Sequence, residues 1–180
     1  MPTSTSFRIQ VVGTSGSGKS TLARRLAIEL QLKHLELDSI YHQPGWTPLP
    51  VEEFRARVAN FANGENWIID GNYSKVRDIL DQRITHLIWL DYPRWFVMLR
   101  VIRRTLWRGI SRQELWNGNR ENPRGWFSTT SEDNIMLWAF TTHESNRRRY
   151  LALFESLPDV VKIRIGSPIK VNRLLRELSN

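Results

Sequence analysis

The chain has no cysteine, so it holds neither a disulfide framework nor a thiolate metal site, a usage that fits a reducing compartment. No apolar run approaches the roughly eighteen residues of a membrane span. The opening residues, MPTSTSFRIQ, have no apolar core ahead of a cleavage site. These absences set a soluble, cytoplasmic protein without a membrane partner as the expectation. Lysine is scarce: Lys19, Lys33, Lys75, Lys162 and Lys170 are the only ones, so arginine carries most of the net charge of +8. The planar guanidinium pairs two-pronged with phosphate, so this bias leans towards phosphate chemistry beyond what a solvated basic surface needs.

What the chain does have is an ordinary globular composition, 41% hydrophobic and 24% charged over 180 residues, enough for one domain with one core. Short apolar runs alternate with longer amphipathic stretches, the pattern of a parallel sheet covered by crossover helices. FRIQVVG (7–13), HLEL (34–37), NWIID (66–70), HLIWLD (86–91) and DVVKIRIG (159–166) read as five strands. Helices are expected over 19–32, over 51–62, from Pro93 to about Gly109, and after Pro168. Between them, DSIYHQPGWTPLP (38–50) holds three prolines and a glycine and predicts a loop without regular structure. Residues 110–132 form a polar insert without sustained periodicity, expected to be a lid.

Gly13, Gly18, Lys19 and Ser20 match G-x-x-x-x-G-K-[ST], and the match sits between an expected strand and an expected helix. Glycine lets the backbone take positive φ and wrap a polyphosphate with its N–H groups inward. The following helix adds unpaired N–H donors and the positive end of its dipole. Gly13, Thr14, Ser15, Gly16, Ser17, Gly18, Lys19, Ser20 and Thr21 are thus the expected nucleotide cradle. Lys19 would sit on the β- and γ-phosphates of ATP, and the Ser20 hydroxyl would ligate Mg²⁺.

Such a site needs a carboxylate near its metal. Asp70 and Asp91 both end strands; Asp70 is preferred because the GNY turn after it leaves room for a ligand, whereas Asp91 precedes Pro93 and could cap a helix. Asp38, a third strand-end carboxylate, either handles a substrate hydroxyl or caps a turn. On the helix after Pro93, Trp95, Met98, Leu99, Ile102 and Leu106 share one face and Arg100, Arg103, Arg104 and Arg108 lie opposite. Phe96 and Trp107 among those arginines suit stacking on a purine and pairing with transferring phosphate oxygens. Further candidates are Arg112, Arg120 and Arg124 in the insert and Arg147, Arg148 and Arg149 after it, one or two of the last three being expected to face the site. His34, His42, His86 and His143 show no metal-ligand spacing and read as loop or core residues. Trp46, Trp116 and Trp126 lie in irregular segments and read as packing, or as the wall of an acceptor pocket.

These motifs together, GTSGSGKST, LELDSIYHQPGW, WIIDGNYSKVRD, LIWLDYPR and the spaced Arg100 and Arg104, resemble the adenylate-kinase-like branch of P-loop kinases. More closely they resemble the small bacterial topology modulation proteins of the FlaR-like type. The resemblance runs from Phe7 to Leu178. It implies a three-layer α/β P-loop NTPase fold, with a five-stranded parallel sheet in the order 2-3-1-4-5 flanked by helices. It also implies that Arg100 packs on the ATP base and Arg104 contacts the phosphates. Where adenylate kinases carry an Asp-Gly-Phe-Pro-Arg turn for the acceptor phosphate, this chain reads Asp70, Gly71, Asn72, Tyr73, Ser74, so Arg77 or Arg83 would have to substitute. Lack of cysteine excludes the zinc-bound lid of that family.

The expectation is therefore one domain over residues 1–180 that uses ATP and Mg²⁺ to phosphorylate a small-molecule or nucleotide acceptor, as a monomer. Lys19, Asp38, Arg100 and Arg104 would be catalytic, and Ser20 and Asp70 would hold the metal. The alternative is an ATP-dependent protein associated with DNA, which the net charge and the topology modulation resemblance favour and the lack of a recognisable DNA-reading module disfavours.

Overall fold

Five short runs rich in Ile, Val and Leu pair side by side and in parallel, which leaves their faces to be covered by the helices that connect them. A computed structural model of the chain describes residues 6–111, 113–120 and 134–179. The strands are β1 (Arg8–Gly13), β2 (Lys33–Glu36), β3 (Trp67–Asp70), β4 (His86–Leu90) and β5 (Val161–Ile165), in the order β2-β3-β1-β4-β5. The architecture is the three-layer α/β sheet that the sequence implied, with strand ends shifted by a residue or two.

Side chains alternate between two cores. Ile9, Val11, Ile68, Ile88 and Leu90 pack against α1 (Lys19–Glu29) and α7 (Ile169–Ser179). Val12, Trp67, Ile69, Leu87 and Trp89 pack against α3 (Val51–Ala62), α4 (Arg77–Asp81) and the later turns of α6 (Ile135–Ser156). β3 and β4 are buried at every position, as strands covered on both sides must be. In register, Gly13 lies beside Leu90, Val11 beside Asp70, and Asp70 beside Glu36. The carboxyl ends of β1, β2 and β3 therefore open onto one edge, where ligands bind sheets of this kind.

Two expectations are corrected, and the buried face of one helix is set by its packing. Residues 38–50 are not devoid of regular structure: α2 (Leu37–Tyr41) and a 3₁₀ turn at Pro44–Trp46 occupy most of the segment. No proline falls within 37–41, and the wholly buried Leu37 anchors the turn in the core. The prolines punctuate the helix end rather than preventing it.

The helix after Pro93, α5 (Arg94–Ser111), buries Val97, Val101 and Thr105 rather than its large apolar stripe. Trp95 and Leu99 of that stripe are 69% and 60% exposed. Periodicity reveals which residues share a face, not which face meets the protein; here close approach to the glycine loop selects the small β-branched side. Finally, α5 continues through Ser111, and Trp116–Gly118 makes a 3₁₀ turn closed by an antiparallel bridge between Glu114 and Arg120. The rest of the expected lid, with Arg112, Arg124 and Trp126, lies outside the described residues.

Candidate functional site

The glycine loop leaves β1 and enters α1 with Gly16 at φ +79° and Gly18 at φ +94°, a left-handed backbone that a side chain would strain. Close approach is a second reason for glycine here. A Cβ on Gly16 would overlap Val101 of α5, and one on Gly18 would come within 2.8 Å of the Arg100 guanidinium. α5 is thus packed directly onto the loop. No side chain caps α1, so its first N–H groups remain for a ligand. Thr14 Oγ1 and Ser17 Oγ are buried beside them without a hydrogen-bond partner among the described residues.

Lys19 Nζ donates to the Thr14 carbonyl at 3.3 Å. Burial pushes the Lys19 pKa below its ordinary 10.5, against the pull of the Asp38 and Asp70 carboxylates. An ammonium held in so dry a place gains when an anion arrives. Arg104 is near enough for its charge to act on Lys19 as well, and Arg100 lies over the Phe96 ring at 5.7 Å. The arginine side of α5 therefore faces the loop at Arg100 and Arg104, whereas Arg103 is exposed.

Ser20 Oγ donates to Asp70 Oδ1 at 2.7 Å, and Asp70 is only 2% exposed. The other oxygen, Oδ2, is 2.7 Å from His34 Nε2. A carboxylate only accepts, so the imidazole carries its proton on Nε2. Asp91 plays no part in this group. It accepts from Arg147 of α6 and Arg164 of β5 instead of capping α5. Burial would raise the Asp91 pKa, but these two guanidiniums outweigh it and hold the carboxyl below 3.8. Among the described residues no cluster of three or more His, Cys, Asp or Glu could hold a metal by itself. Any cation would depend on the Ser20 hydroxyl, the phosphates and water, an all-oxygen set that suits Mg²⁺.

Asp38, whose charge also acts on Lys19, lies in the first turn of α2 and accepts from Tyr73 Oη at 2.6 Å. Burial, then the adjacent Asp38 charge, pushes the Tyr73 pKa well above 10, so the phenol stays a donor. His42 Nε2 is 3.3 Å from the same hydroxyl. Asn72 Nδ2 donates to the Gly13 carbonyl at 2.7 Å and ties the GNY turn to the glycine loop.

Segment 113–120 docks on the same corner. Asn117 donates to the Ser39 and His42 carbonyls, and Asn119 donates to Gln43 while accepting from the Trp46 N–H. Trp46, Trp116 and His42 meet there ring to ring. Arg77 and Arg83, the suggested substitutes for an acceptor arginine, are engaged with Asp81 and the Asn63 carbonyl. Arg148 pairs with Glu144 and Arg120 with Glu114, whereas Arg149 lines a small cavity together with Asn72, Tyr73 and Arg77.

Sequence reasoning passed over His34, Tyr73 and Glu36 as site residues. Glu36 is Asp70's neighbour in register and acts electrostatically on Lys19, besides a 3.4 Å ion pair with Arg24. Tyr73 and His34 reach their partners from 35 and 36 residues away, so only strand pairing brings them in. A cleft of about 460 Å³ elsewhere, between Asp91, Arg94, His143 and Arg147, holds no residue of the glycine loop.

No protein-family model matches the chain, and no curated protein matches it. Solved structures do. A shikimate kinase from Bacteroides thetaiotaomicron is 14% identical with a TM-score of 0.55, over 96% of this chain and 95% of that one. A gluconokinase from Sinorhizobium meliloti 1021 is 18% identical with a TM-score of 0.51, again over 96% and 95%. At these identities what is shared is the fold, a P-loop kinase fold. No helix among the described residues is long and apolar enough to cross a membrane.

Proposed function

We propose that this protein is an ATP-dependent phosphotransferase that moves the γ-phosphate to a hydroxyl of a small molecule. One observation carries the reading: Ser20 and Asp70 meet at 2.7 Å where the glycine loop enters α1, and the Asp70 charge acts on Lys19. That is a hydroxyl, a carboxylate and an ammonium gathered where a nucleotide-bound cation needs them. The donors present fit ATP and Mg²⁺: unpartnered Thr14 and Ser17 hydroxyls, an uncapped helix start, and hard oxygen ligands. Ser20 and Asp70 would hold Mg²⁺, which when bound would supply neutralisation of phosphate charge.

The chain's own residues supply the rest. Lys19 balances phosphate charge from within a dry site, and Arg104 adds a second cation beside it. Arg100, over Phe96 and against Gly18, is placed to meet the base or the phosphates. Asp38, held by the Tyr73 hydroxyl, orients the acceptor's O–H and receives its proton. Transfer between two bound partners, rather than hydrolysis, is what an acceptor corner next to the phosphate loop serves. The finer placement among topology modulation proteins, with DNA as partner, is supported by sequence resemblance and the net charge of +8 and is the second reading.

Replacing Lys19 by Met tests the first reading. Turnover of ATP against a panel of hydroxyl-bearing metabolites is expected to fall about a hundredfold or more, as when a charge-stabilising donor is removed from an active site. Near-normal turnover in that variant would refute the assignment.

A further inference from the structure

We infer that His34 is a positioning residue, which fixes the Asp70 carboxylate for the cation. The inference rests on the phosphotransferase reading and adds to that site a residue without direct contact with metal or nucleotide.

The geometry follows from the sheet. Glu36 of β2 is Asp70's partner in register on β3, so His34, two residues earlier, is its diagonal neighbour on the same face. From there the Nε2–H of His34 reaches Asp70 Oδ2 at 2.7 Å while Ser20 donates to Oδ1 at 2.7 Å. Each carboxylate oxygen thus has one donor, and turning the carboxylate about its last torsion would break both bonds at once. The His34 side chain is itself 15% exposed, so water has little access to take over its role.

Removal of the imidazole leaves Oδ2 buried without a donor. The carboxylate is then held through Ser20 alone and loses the orientation that the cation needs. Partners of this kind behind a metal site typically change metal affinity by about 10–100-fold.

The experiment measures binding of the β,γ-imido analogue of ATP by calorimetry across a Mg²⁺ titration, and again in EDTA. The proteins compared are the wild type, His34→Leu and His34→Gln. His34→Leu is expected to raise the half-saturating Mg²⁺ concentration by about tenfold or more, with affinity in EDTA changed far less. His34→Gln, whose amide N–H can reach the same oxygen, is expected to restore most of the Mg²⁺ dependence.

An unchanged Mg²⁺ titration in His34→Leu overturns the proposal. So does an equal loss with and without Mg²⁺, which is what a merely structural histidine would give, and so does a failure of His34→Gln to recover. Wild-type protein that binds no analogue, or binds it without regard to Mg²⁺, overturns the phosphotransferase site itself and the role of His34 with it. The two failures are thereby distinguished.

Discussion

Single side chains decide how the corner around Lys19 works. Tyr73 stays protonated because burial and the adjacent Asp38 charge both oppose its ionisation. It is therefore a steady donor to Asp38, the residue to which the proposed function gives the acceptor hydroxyl. Replacing Tyr73 by Phe removes that one bond to a charged group, worth about 1.5 kcal/mol. The expected result is kcat lowered by about tenfold, with affinity for the ATP analogue unchanged; a loss of nucleotide affinity instead would place Tyr73 on the wrong partner. Residues of this sort were the least legible in the sequence. Lys19 and Ser20 stand in a spaced motif whose chemistry can be read directly. The Tyr73–Asp38 and His34–Asp70 bonds depend on which strands become neighbours, and no local pattern records that.

At the scale of elements, α5 and the carboxylate beside it carry the main lessons. The amphipathic separation of α5 was visible in the sequence, but its orientation was not. A large apolar stripe is ordinarily the buried side, and here close packing on Gly16 selects Val97, Val101 and Thr105 instead. Replacing the exposed Leu99 by Ser should change stability by no more than about 0.5 kcal/mol. Replacing the buried Val101 by Ala should destabilise by about 2 kcal/mol through the cavity it leaves. Thermal melts of the two variants check the orientation, and equal losses would contradict it.

Asp91 joins three elements, accepting from α6 through Arg147 and from β5 through Arg164 at the end of β4. Asp91→Asn is expected to lower stability by about 2 kcal/mol at neutral pH. The sign with pH follows from the depressed carboxyl. Its stabilisation is complete above the unfolded value near 3.8 and is lost as pH falls through the lower folded value. The melting temperatures of wild type and variant should therefore converge in acid; a gap that persists there would mean that the ion pairs contribute nothing.

For the whole molecule, alternation of apolar runs with amphipathic stretches was enough to reach a parallel sheet, while its strand order came from the resemblance to adenylate-kinase-like proteins. That order puts the carboxyl ends of β1, β2 and β3 together, which is why a motif at one strand end acquires Asp70 from another and Asp38 from a third. The proposed acceptor side was harder to read, because loops from 38–50, 72–77 and 113–120 are tied down there through backbone carbonyls and asparagine side chains. Such contacts leave no periodicity. The central claim, transfer rather than hydrolysis, is tested most directly by following the γ-phosphate itself. The protein is incubated with Mg²⁺ and ATP labelled on that phosphate, together with a mixture of hydroxyl-bearing metabolites, and the products are separated. The account predicts label in an organic phosphate ester, formed mole for mole with ADP and nearly absent with Lys19→Met. Label released only as inorganic phosphate would contradict it.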